Sequence, residues 1–102
     1  MNHMTTELMK QLLLRQQPGW DSRYAQRLAT QWVATLDPRL SDLLYTHCTT
    51  GKTPDFTHRH DTEAFSLLEI RAIRRCSYLD AVLLMNTYIS DPVKGRAKIL
   101  RR

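Results

Sequence analysis

With 102 residues, 42% of them apolar and 25% charged, and with only three glycines and four prolines, the chain has the make-up of one folded domain and excludes a disordered or linker-rich polymer. Its longest apolar run, Ala81-Val82-Leu83-Leu84-Met85, falls far short of the roughly 18 residues a membrane-spanning helix needs, and Leu12-Leu13-Leu14 lacks the basic leader and small-residue cleavage site of a secretory signal. The net charge of +5 and the two cysteines, Cys48 and Cys76, exclude an acidic protein and a disulfide framework, so a cytoplasmic protein with two reduced thiols is expected.

From Thr6 to Gln16, Leu8, Met9, Leu12 and Leu13 recur at helical spacing until Pro18-Gly19 stops the pattern. Asp21 or Ser22 is placed to cap a second helix, in which Tyr24, Ala25, Leu28, Ala29, Trp32, Val33 and Leu36 form an i, i+3/i+4, i+7 stripe. Trp32 belongs to that stripe and is expected in the core, while Trp20 precedes the cap and is expected to pack with Tyr24 or Ala25. Asp37-Pro38 starts a third helix through Leu40, Leu43, Leu44 and Cys48, with Asp as N-cap and Pro where its missing N–H costs nothing.

Thr49 to His60 contains Gly51 and Pro54 and shows neither helical nor strand periodicity, which predicts a long loop. Asp61 is the expected cap of a fourth helix from Thr62. Ser77, with Asp80 three residues on, has the form of a capping box with Asp in the Glu position. A break or kink near Cys76-Ser77 is therefore expected, against the alternative of one continuous helix. Asp91-Pro92 repeats the Asp37-Pro38 device and opens a short basic segment, residues 92–102, weakened by Gly95. No alternating run of strand length appears. The expected architecture is all-α: residues 1–102 as a single compact domain, a bundle or orthogonal array of four to six helices.

The charge is unevenly placed. Lys94, Arg96, Lys98, Arg101 and Arg102 stand in the last nine residues with no acid among them, while the ten basic and ten acidic residues before them cancel. Arg71, Arg74 and Arg75, at i, i+3 and i+4, predict a basic stripe on the fourth helix. These eight residues are the candidate surface for an anionic partner. A second candidate surface comes from the segment Tyr78 to Ile89, which is apolar around nearly its whole circumference. Such a helix is either the centre of the core or partly covered by another protein, through Tyr78, Val82, Met85 and Ile89.

Other chemistry lacks its pattern. His47, Cys48, His58, His60, Asp61 and Cys76 are metal-ligand types, yet adjacent His47-Cys48 and near-adjacent His58 and His60 match no paired-ligand spacing. Gly19, Gly51 and Gly95 stand alone, so no phosphate-binding glycine loop exists, and no nucleophile stands in a catalytic context. As a DNA-reading helix, Tyr78 to Ile89 contains no Lys or Arg; the third helix offers Arg39, Ser41 and His47 but presents Asp42 to the backbone. No catalytic residue, cofactor or metal is expected. The expected function is a small helical interaction module that binds a partner protein, a second copy included, with a nucleic-acid-associated regulator as the alternative.

Overall fold

The computed structural model describes residues 3–101. It is all-α in class, with six helices among the described residues and one two-stranded hairpin. They fall into two compact units, Met1–Lys52 and Thr53–Arg102.

The first unit holds α1 (Thr6–Gln16), α2 (Ser22–Thr35) and α3 (Pro38–Thr50). Each begins on a side-chain cap that satisfies the orphan N–H groups of the first turn. Thr5 accepts from the Leu8 N–H, Asp21 from those of Arg23 and Tyr24, and Asp37 from that of Arg39 with Pro38 in the first turn. Helices α1 and α2 pack together, and the unit buries Met9, Leu12, Leu13, Ala25, Ala29, Leu40 and Leu44. Before α1, the buried Met4 N–H donates to Ser41 Oγ at 2.8 Å, tying the chain start to α3. Trp20 stacks edge-on against Tyr24, with ring centroids 5.0 Å apart, as the sequence predicts. Trp32 instead stays partly exposed. Helix α3 runs two residues beyond Cys48 and ends at Gly51, whose φ of +76° is the left-handed cap geometry that glycine adopts without strain.

Asp37 illustrates how a cap titrates. Two guanidinium bonds from Arg39, Nε to Oδ1 and Nη2 to Oδ2, both 3.0 Å, hold its carboxyl below the ordinary value of 3.8. The backbone N–H of Arg39 pulls the same way and burial opposes it. A depressed folded pKa means that the stabilisation is complete above the unfolded value and is lost as pH falls through the folded one. Asp37→Ala is expected to cost about 1 kcal/mol at neutral pH. Asp37→Asn, which keeps a capping oxygen but cannot ionise, is expected to flatten the loss of stability below about pH 4 in urea titrations run as a function of pH.

The second unit departs from the sequence reading. The predicted loop closes early, and Thr57–His60 (β1) pairs antiparallel with Glu63–Ser66 (β2), Thr57 facing Ser66 and His60 facing Glu63. Asp61, expected to cap a helix, sits in the two-residue turn with φ of +58°, a conformation that aspartate tolerates better than most side chains. The fourth helix, α4 (Leu67–Arg74), starts five residues later than predicted. Its cap is Ser66, which accepts from the Glu69 N–H while the Glu69 carboxylate accepts from the Ser66 N–H, a complete capping box.

Arg75 ends α4 in the left-handed region at φ +51°, and Ser77 caps α5 (Tyr78–Ser90) by accepting from the Asp80 N–H. The expected break at Cys76-Ser77 is therefore present, and 62–89 is not one helix. Asp91 then closes α5 and opens α6 (Pro92–Leu100): its N–H donates to the Thr87 carbonyl and its carboxylate accepts from Lys94 N. Helix α5 is the apolar centre of this unit, with Tyr78, Leu79, Ala81, Val82, Met85 and Tyr88 buried, and it packs against α4 and α6. The Tyr88 ring meets Phe65 and His58 edge-on, at centroid distances of 5.1 and 5.8 Å, and its hydroxyl donates to the Glu63 carbonyl at 3.4 Å. That ring is what the hairpin rests on.

Candidate interaction surface

The residues read from sequence as a basic tail form a docked helix. Gly95 and Ile99 face inward on α6, Gly95 close against the backbone of Tyr88 and Ile99 fully buried. At 100° per residue the opposite face carries Val93, Ala97 and Leu100, at i, i+4 and i+7. Val93 is 82% exposed and Leu100 37%. Arg96 falls on one side of this apolar strip, Lys94 and Arg101 on the other. Helix α6 is thus amphipathic twice over, with one apolar edge in the core and a narrower one presented outward between cations.

The eight basic candidates do not act alike. Arg71 and Arg74 lie on α4 but Arg75 lies beyond its last helical turn, so the three do not make one continuous stripe. The guanidinium of Arg71 donates to the Cys76 carbonyl at 3.5 Å, and Arg74 Nη1 donates to the Arg101 carbonyl. Both side chains therefore serve the carbonyl-rich ends of helices, where positive charge is favoured. Arg96 Nε pairs with Glu63 Oε2 at 2.8 Å across to the hairpin. Arg75, Lys94 and Arg101 are exposed and Lys98 is partly buried, none of them in an ion pair among the described residues. Arg102 lies outside the described residues. The Arg74 to Arg101 bond brings the end of α4 beside the end of α6, so two basic groups far apart in sequence share one end of this unit.

Of the four candidates on α5, Tyr78, Val82 and Met85 are interior residues and Ile89 alone is partly exposed. The Tyr78 hydroxyl donates to the Pro54 carbonyl at 2.8 Å and its pKa is pushed up to about 12, by burial first and the Asp55 carboxylate second. These three side chains hold the fold, and of the four only Ile89 presents surface that a partner could reach. What the sequence reading missed is the outward strip of α6. Its spacing was available in residues 92–101, but the cations between drew attention to charge alone.

The remaining polar candidates are dispersed. His47 Nδ1 donates to the Lys52 carbonyl at 2.7 Å, and His58 packs against Tyr88. Burial pushes the thiols of Cys48 and Cys76 up, which disfavours the reactive thiolate. Among the described residues no three of His, Cys, Asp and Glu converge as a metal-binding group, and no helix is long and apolar enough to cross a membrane. In comparison with known proteins, no family model, no curated protein and no solved structure matches this chain.

Proposed function

We propose that the chain is a non-catalytic interaction module that binds an acidic segment of a partner protein through the outer face of α6. The observation that carries this reading is the exposed Val93, Ala97 and Leu100 strip with Arg96 on one flank and Lys94 and Arg101 on the other. Apolar anchors at i, i+4 and i+7 suit the groove or helix face of another protein, and the flanking cations select acidic residues around it. A second copy is the poorer occupant, because two α6 faces brought together would oppose cation to cation.

The Arg74 to Arg101 contact, with the exposed Arg75 next to Arg74 in the chain, favours one further reading, contact with a nucleic-acid backbone. The two readings differ in what they ask of the strip. In capture experiments from nuclease-treated native extract, Val93→Ser with Leu100→Ser is expected to abolish retention of an acidic partner that wild type holds, while circular dichroism stays unchanged. Phosphate contact, read separately as retention of added DNA by the purified chain, would survive that change, fall steeply with salt and disappear with Arg75→Gln and Arg101→Gln. Retention unaffected by the serine pair would remove α6 as the binding face.

A further inference from the structure

A separate group of cations lies in the first unit. Beside the first two turns of α2, a cleft of about 630 Å³ is lined by Lys10 from α1 and by Asp21, Ser22, Arg23, Gln26 and Arg27. The cleft is open to solvent, every lining residue but Lys10 being exposed, and its volume is large enough to admit a small ligand. Three of the six side chains are cationic. The one acid, Asp21, already accepts from the backbone N–H groups of Arg23 at 3.1 Å and Tyr24 at 3.3 Å. Lys10, Arg23 and Arg27 form no ion pair among the described residues.

The sequence of α2 makes this arrangement unusual. Arg23 and Arg27 stand at i, i+4, where like charges repel, and the helix contains no acidic residue at all to offset them. Lys10, reaching in from α1, adds a third positive charge to the same opening. The helix tolerates a small unfavourable interaction that an anion in the cleft would reverse. Two guanidinium groups and an ammonium exceed what a single carboxylate needs, and the planar fork of arginine matches phosphoryl oxygens two at a time.

We propose that this cleft binds a small ligand carrying two or more phosphoryl groups, of the size and charge of a nucleoside di- or triphosphate. The site is independent of the α6 surface, and its three cations belong to other elements.

Isothermal titration of the full chain at low salt, with inorganic tripolyphosphate and with adenosine triphosphate, tests this. Saturable binding at one site is expected for both. Equal affinities would mean that the phosphoryl chain alone is recognised, and tighter binding of the nucleotide that the base adds contact; either supports the site. Arg23→Gln and Arg27→Gln are each expected to weaken binding about tenfold, the effect of removing one charge-assisted contact, and Arg27→Lys is expected to weaken it less. Both positions are exposed, so unchanged circular dichroism and urea midpoints would show that the fold is retained. As the control, Lys52→Gln with Arg59→Gln, two exposed cations outside the cleft, is expected to leave the affinity within twofold. Heats that never saturate, adenosine binding as tightly as its triphosphate, or equal loss from the control pair would each overturn the proposal.

Discussion

Gly95→Ala is expected to destabilise the protein on the order of 3 kcal/mol, although the same change inside an ordinary helix would stabilise it by about 1 kcal/mol. A Cβ at Gly95 would run into Tyr88 Cα, and would lie 2.5 Å from the Tyr88 backbone nitrogen and 2.8 Å from its Cβ. Real Cβ atoms essentially never come within 3.0 Å of a non-bonded heavy atom from elsewhere in the fold. Backbone cannot rotate away as a side-chain tip can, so α6 would have to lift from α5, exposing Ile99, which is fully buried. The measurement is a urea denaturation midpoint against wild type. Should Gly95→Ala raise stability, α6 is not seated on Tyr88 in solution, and the outward face assigned to it loses its basis. Sequence reading treats this glycine as a weak point in a helix; the contact makes it the position that lets two helices meet.

Tyr88→Ala is expected to cost about 3 to 5 kcal/mol, the range for removing a buried aromatic side chain. Its ring is 1% exposed and carries Phe65 and His58 on its edges. The loss should be local as well as global. Amide exchange in Thr57–His60 and Glu63–Ser66 is expected to accelerate more than in α5, because the hairpin pairs few residues and an isolated two-stranded hairpin is marginal in water. Tyr88→Phe separates ring from hydroxyl: the bond to the Glu63 carbonyl is long at 3.4 Å, so a cost under about 1 kcal/mol is expected. Equal effects of the two substitutions would show that the hydrogen bond, not the ring, holds the hairpin.

The clearest elements in the sequence were those with a local stop or start. Asp37-Pro38, Asp91-Pro92 and the Ser77 cap all lie where their chemistry places them, since each satisfies N–H groups within three residues of itself. The fourth helix was misplaced for a reason visible in the same terms. Ser66-Leu67-Leu68-Glu69 is the more complete capping box, and Asp61 drew the start five residues too early. The basic candidates were found by composition, but their duties were not. Arg71 and Arg74 are occupied by carbonyls of Cys76 and Arg101, the latter 27 positions away in sequence.

By itself, then, the sequence determined the helical class and most helix boundaries, because 3.6-residue periodicity and end caps are interactions within one or two turns of chain. The tertiary structure alone decided the hairpin, the need for glycine at residue 95, and which side of α6 faces outward. Residues 57–66 carry only His58 and Phe65 as an inner face, too few to announce a strand, and it is the Tyr88 ring from a helix more than twenty residues away that gives them something to cover. A contact between residues distant along the chain leaves no period in the sequence, so its consequences appear only where the chain folds back on itself.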